Sequence, residues 1–411
     1  MTVRRRVLIA AAVAGSLALT GCSSSGSSAD GETKNATISY AFWGSNDEAA
    51  TIKAMIAKFE AANPTIKVEP NWIQSDYEQK LQTSIAGGDA PTVAQISNTA
   101  LPSFANAFRE VKVDKGIYYS DAVAEAGTVN GSDRAVPFVA KSKVMAVNKA
   151  LLDAAGVKAA PTSTADFVTD AKKLTNGKKV YGSAPLWYDG WLIAEGGSYY
   201  SADGQSCTMG NADGIRAAQV VVDSVKPGGF APNPIEAQGQ DMFQWFADGK
   251  VAMLPDFGPW NIAKIAALDP AKFQIVPMPG KGEPMEVDSL GVSRDATDDE
   301  AAAAKTFTTY MSSNPEAQSL LASTTSALGV PVIEGSIESF KGVAPKVNLQ
   351  AFVDAVKNAV KTPYVKDKVK IESTFSTALN SRTAIGTGKE DPAVVLPQLQ
   401  AECQKQLDAS K

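Results

Sequence analysis

Two short stretches gather the residue types that could hold a small polar molecule. Asp256-Phe257-Gly258-Pro259-Trp260 sets a carboxylate and two rings around a Gly-Pro turn. Trp187-Tyr188-Asp189-Gly190-Trp191 packs three rings and a second acid into a still tighter run. A flat ring can cover the C–H face of a sugar while a carboxylate accepts from its hydroxyls. Each stretch also has a structural reading: Trp260 as the core of a strand–loop–helix corner, Asp189 as a turn former with Gly190. Trp191, beside Leu192-Ile193, is read as core. The chain contains no histidine. That removes Ser-His-Asp and Cys-His nucleophile arrangements and His-ligated metal sites, so no metal or cofactor is expected. Paired carboxylates could still hydrolyse a glycoside, but no local pattern marks an acid–base pair.

Strand and helix signals place these stretches at the ends of buried elements. The run Val251–Leu254 reads as a short strand after the Asp248-Gly249 turn, broken at Pro255. Earlier, Thr37–Trp43 reads as a strand, Glu48–Ala61 as a helix with Ile52, Met55, Ile56 and Phe59 on one face, and Ile66–Trp72 as a strand. Asp76–Ala86 follows as a helix and Thr92–Ile96 as a third strand. Strand, helix, strand, helix, strand predicts a parallel α/β half. In such sheets ligands lie beyond the carboxyl ends of the strands. Further on, Gly214–Val225, Asp298–Ser312, Asn314–Leu321, Leu349–Lys361 and Lys370–Arg382 read as helices. Glu286–Val292 and Gly329–Ile333 read as strands.

The length of 411 residues suits two or three globular units, and 44% hydrophobic content can bury a core. Arg4–Arg6 followed by apolar Val7–Thr20 reads as an export signal, too short to span a bilayer. The run Leu19-Thr20-Gly21-Cys22 resembles a bacterial lipobox, which would lipidate Cys22. The arginines fit a general secretory or a twin-arginine signal. Ser23–Asn35 is Ser- and Gly-rich and reads as a flexible tether. Residues 1–21 carry three arginines and no acid, so their removal takes the net charge from −5 to −8. That balance argues against nucleic acid as a partner. Cys207 and Cys403 either pair in an oxidising compartment or remain two buried thiols.

Five motifs in order carry a family resemblance over nearly the whole exported chain. They are Gly88-Asp89-Ala90-Pro91 before an apolar strand, and Pro137–Val157. Next come Pro161-Thr162 with Phe167 and Lys173-Leu174, then Phe246–Trp260, then Ala378–Leu407 with Gly388, Pro392 and Gln400. Thr92 stands where an acid is usual, and the third motif lacks its usual Trp and Glu. Together they resemble the extracellular solute-binding proteins of ATP-binding-cassette importers, in particular the sugar-binding, maltose-binding-protein-like members.

The resemblance implies a periplasmic-binding-protein-like α/β fold, with two discontinuous lobes, a multi-strand hinge and a ligand cleft between them. The lobes would comprise residues 36–140 with 291–333, and 141–290 with 334–411, crossing near Val139–Ser142, Asp288–Gly291 and Val330–Gly335. Cleft candidates are Trp43, Ser45, Asn46 and Asn98 from the first lobe, Lys141 and Asp288 at the crossings, and Trp187, Tyr188, Asp189, Asp256, Phe257 and Trp260 from the second. Trp43 has strand core as its structural reading, Asn98 a helix cap, and Lys141 a solvated surface. The implied protein is a non-enzymatic monomer, anchored through Cys22 to the outer face of the cell membrane. Its partners would be a mono- or oligosaccharide and the importer's permease. The other readings are a polyol phosphate or polyamine on the same scaffold, or a surface glycoside hydrolase.

Overall fold

A computed structural model describes residues 35–233, 235–323, 327–361, 363–380 and 385–410. The expected export signal and Cys22 lie outside the described residues, as does the tether up to residue 34. From the start of the described chain β1 (Ala36–Phe42), β2 (Ile66–Trp72) and β3 (Val93–Ser97) alternate with the helices Asn46–Ala62 and Tyr77–Ala86. β1 lies parallel to both β2 and β3. The first helix starts at a capping box, in which Ser45 and Glu48 satisfy each other's backbone amides. Its buried face, Ile52, Met55, Ile56 and Phe59, packs with Ile38, Tyr40 and Phe42 of β1.

A small hairpin, β4 (Thr128–Val129) and β5 (Ser132–Asp133), precedes the first crossing. β6 (Val136–Ser142) joins the first sheet, and after Lys143 β7 (Val144–Asn148) enters a second one. β8 (Tyr181–Ser183), β9 (Val251–Phe257) and β10 (Phe273–Val276) complete that second sheet. β11 (Met285–Val292) then returns to the first sheet, and β12 (Val330–Pro331) closes its edge. The strand orders are β12-β6-β11-β3-β1-β2 and β10-β7-β9-β8. Each sheet therefore draws strands from separate parts of the chain, giving the two discontinuous α/β lobes that were expected.

Two local expectations change. β9 continues through Pro255 instead of breaking there. Its pairing with β8 ends at Met253, and its register with β7 shifts between Val144 and Ala146, so the missing proline N–H falls where the ladder is already interrupted. The strand expected over 329–333 pairs only at Val330 and Pro331. The ring-rich run at 187–191 is the start of a helix, Tyr188–Ala194, with Trp191 fully buried against Phe167. A disulfide joins Cys207 to Cys403, binding the last helix (Pro392–Ser410) to the loop that precedes helix Ala212–Val225. Gln404 and Gln400 accept from the backbone N–H groups of Cys207 and Gly210 beside it.

Candidate functional site

Parallel pairing decides where the candidate rings emerge. β1 and β3 run the same way, so Trp43 and the Ser97–Thr99 segment leave the first sheet at one end. β8 and β9 are likewise parallel, which brings the Trp187 segment and the Asp256–Trp260 segment to one end of the second sheet. The contact between them is close: a Cβ on Gly190 would lie 2.5 Å from Asp256 Oδ1. Trp187 is 52% exposed and Trp260 40%.

The segment joining the sheets carries Lys141 and Lys143, two residues apart and so on one side of an extended chain. The Lys141 ammonium sits 4.9 Å from the centroid of the Trp43 ring. The Lys143 ammonium sits 3.9 Å from that of Trp260. Two lysines of one crossing segment thus each hold a tryptophan, one from each lobe; Trp43 also packs against Tyr77, with ring centroids 4.8 Å apart, and the Trp260 ring lies over Gly258. Ser142, between them, points the opposite way and donates to the Phe352 carbonyl.

Beneath Lys141 lies a buried polar chain. Lys141 pairs with Asp288 at 2.7 Å, and the same carboxylate accepts from Gln95 Nε2 at 2.8 Å. The Tyr40 hydroxyl in turn donates to Gln95 Oε1 at 3.1 Å. Burial pulls the Lys141 pKa down, but Asp288 and Glu286 outweigh it and leave the ammonium favoured. Lys143 has no comparably strong support, and burial lowers its pKa despite the nearby Asp256 and Glu286. Glu286 pairs in register with Lys141 across β11 and β6. Burial raises its carboxyl pKa and Asp288 adds to the rise, against Lys141 and Lys143.

Asp256 is the least satisfied group of the site. Its φ of 55° lies in the left-handed region, which turns the carboxyl toward Gly190. Its Oδ2 is buried without a hydrogen-bond partner. Burial pushes its pKa up to about 6, with Lys143 opposing and Asp189 adding to the rise. Two cavities lie beside these groups, neither of them lined by Lys141, Trp187, Asp256 or Trp260. One, of about 420 Å³, is lined by Trp43, Tyr77, Glu78, Thr99 and Glu286. The other, of about 460 Å³, is lined by Lys143, Asp189, Tyr199, Glu286 and Glu372. Rings, carboxylates and ammonium groups around a space of this size can grip a polyhydroxylated molecule through stacking and charge-assisted hydrogen bonds. Among the described residues no cluster of three or more Cys, Asp or Glu could hold a metal ion.

The structure brings together Trp43, Lys141, Asp189, Asp256 and Trp260 of the expected set, with Trp187 just before the helix that carries Asp189 and reaches Asp256. Three expectations are corrected. Tyr188 is fully buried and donates to the Met209 carbonyl, because its helix turns it inward. Phe257 is buried against Phe243 and Phe352, since alternation along β9 sends it to the core face. Asp288 is fully buried and acts on the cleft only through Lys141. Ser45 is occupied as a helix cap, with Asn46 exposed at the first turn. Asn98 exchanges hydrogen bonds with the Val287 backbone and ties β3 to β11 instead of capping a helix. Lys143 and Glu286 were missed, although each sits two residues from an expected one, the spacing of same-face neighbours on a strand. Tyr199, whose hydroxyl donates to Asp189, carried no such signal.

Comparison with known proteins agrees with this architecture. Residues 54–351 match the family model for bacterial extracellular solute-binding proteins, and the chain belongs to that family. Among curated proteins it is 26% identical over 205 residues to the diacetylchitobiose-binding protein DasA of Streptomyces coelicolor, covering 47% of this chain and 48% of that one. It is 26% identical over 186 residues to the melibiose/raffinose/stachyose-binding protein MelE of Bacillus subtilis, covering 45% and 43%. The chain thus matches about half the length of these curated relatives. A solved structure of the substrate-binding protein Lmo0181 of Listeria monocytogenes, in complex with cycloalternan, superposes with a TM-score of 0.78 at 25% identity, covering 90% of this chain and 99% of that one. The GacH receptor of Streptomyces glaucescens superposes at 0.75 with 23% identity, over 91% and 99%, a likeness of fold.

Proposed function

We propose that this protein captures a carbohydrate, an oligosaccharide, between its two lobes and delivers it to the permease of an ATP-binding-cassette importer. The observation that carries this reading is the pair of tryptophans from different lobes, Trp43 and Trp260, each held by a lysine of the same crossing segment. A sugar placed between them meets rings from both lobes only when the lobes are closed. Its binding then favours the closed form by that differential contact. Lys141, Lys143, Asp189, Asp256 and Glu286 supply the groups for its hydroxyls. The likeness to a diacetylchitobiose-binding and a melibiose/raffinose/stachyose-binding protein supports a sugar over a polyamine or a polyol phosphate.

On this reading the lobes comprise 36–140 with 291–333 and 141–290 with 334–411, except that Lys141-Ser142 and Met285–Leu290 belong to strands of the first sheet. Residues 1–21 direct export, Cys22 carries a lipid that holds the monomer at the outer face of the cell membrane, and residues 22–35 form the tether. The protein performs no chemistry on its cargo. The test is intrinsic tryptophan fluorescence and calorimetry of the purified protein against mono- and oligosaccharides, with spermidine and glycerol phosphate alongside. A response to a sugar, with the sugar recovered intact, is expected. A response only to spermidine or glycerol phosphate would overturn the sugar reading, and new reducing ends would overturn the non-enzymatic one.

A further inference from the structure

A third cavity, the largest of those around the cleft at about 770 Å³, lies beyond the two at the site. Its walls are the helix Tyr77–Ala86, the Arg294-Asp295 corner after β11 and the helix Lys368–Asn380. It shares Glu78 and Gln79 with the cavity at Trp43. That cavity in turn shares Thr99 and Glu286 with the one at Lys143 and Asp189. The three spaces therefore adjoin in series.

The helix Lys368–Asn380 fixes the direction of the series. Lys368, Glu372 and Ser376, four residues apart, line the cavity at Asp189. Lys370 and Ser373, three apart, line the 770 Å³ groove together with Asp367. At 3.6 residues per turn these are two different faces, so the helix stands between the outer cavities and the one at Trp43 joins them past it. The helix is held from both lobes. Tyr364, just before it, packs in the first-lobe cluster of Trp43, Tyr77 and Leu101. Phe375 stacks on Tyr199 of the second lobe at 5.3 Å.

We propose that this groove is a distal carbohydrate site, and that the ligand is a linear oligosaccharide longer than a disaccharide, running past the Lys368–Asn380 helix from Asp189 to Arg294. The inference rests on the sugar reading above. The chemistry of the groove suits a neutral polyhydroxyl chain: amides from Gln82 and Asn106, the Phe104 ring, and equal numbers of cations and acids in Arg294, Lys370, Asp295 and Asp367. Cavities of ~300–1,000 Å³ each take a drug-sized ligand, so three in series exceed what a single sugar unit occupies.

The test is calorimetry of the full-length protein with length ladders: maltose to maltohexaose, melibiose-raffinose-stachyose, and diacetylchitobiose to its longer homologues. In the ladder that binds, affinity should rise by about tenfold or more beyond the disaccharide. The double variant Arg294→Ala/Lys370→Ala, both exposed positions, should lose that gain while binding the disaccharide as wild type does. Equal affinity along the ladder, or a variant that binds long and short members like wild type, overturns the distal site while leaving sugar capture intact. Failure of every saccharide to bind overturns both.

Discussion

Replacing Asp256 with Asn should stabilise the protein near neutral pH and have little effect in acid. The carboxyl stands in a left-handed turn with Oδ2 buried and unpartnered. Burial raises its pKa from 3.8 to about 6. The native state therefore holds this proton more tightly than the unfolded chain. The stability that proton confers is fully present below pH 3.8 and is lost as pH rises through about 6. At 1.36 kcal/mol per pH unit, the rise corresponds to at most about 3 kcal/mol. Asn carries no such proton, so the difference between variant and wild type should grow from near zero at about pH 4 to between about 1 and 3 kcal/mol at about pH 7. Urea unfolding of both proteins across that range measures it. Glu283, raised to about 7 by burial, and Glu372, also raised by burial, belong to both chains and cancel in the difference. Parallel stability profiles for the two proteins would refute the account of Asp256. A sugar hydroxyl donating to this carboxylate would favour the charged form, so wild-type affinity should climb between about pH 5 and pH 7, and Asp256→Asn should flatten that climb.

Other outcomes follow from the same geometry. Trp260→Ala should weaken ligand binding by about 2 kcal/mol or more, as for a buried aromatic anchor, with an unchanged melting temperature. An unaltered titration isotherm would exclude Trp260 as a stacking platform. Lys141→Met leaves Asp288 buried and unpaired, so denaturant unfolding should show a loss of about 3 kcal/mol or more. Restoring an apolar pair with Asp288→Leu should recover part of it. Cys207→Ala/Cys403→Ala should cost about 2–4 kcal/mol in the same assay, since the bond constrains a long loop of the unfolded chain.

Much of the fold was legible along the chain because it rests on local periodicity. The helix face Ile52, Met55, Ile56, Phe59 and the alternation around Ile66–Trp72 are dictated by sequence, and each appears within a residue or two. Pro255 misled because a proline is tolerated in a strand wherever its amide would be unpaired, and pairing belongs to the neighbouring strands.

The site was only partly legible. By itself the sequence determined which residue types gather near strand ends: Trp43, Trp187, Asp189, Asp256 and Trp260. It also determined that histidine chemistry is absent and that the motifs follow the solute-binding family. Tertiary structure alone decided which of those side chains face solvent. Tyr188 and Phe257 are neighbours of Asp189 and Asp256, yet helix and strand geometry turn them into the core. Only the fold could set Lys143 over Trp260, distant in sequence, because that meeting depends on where β7 and β9 pair. The physical reason is one of range. Local periodicity fixes which way a residue can point, whereas contact between remote segments is set by strand register and by the packing of one lobe against the other.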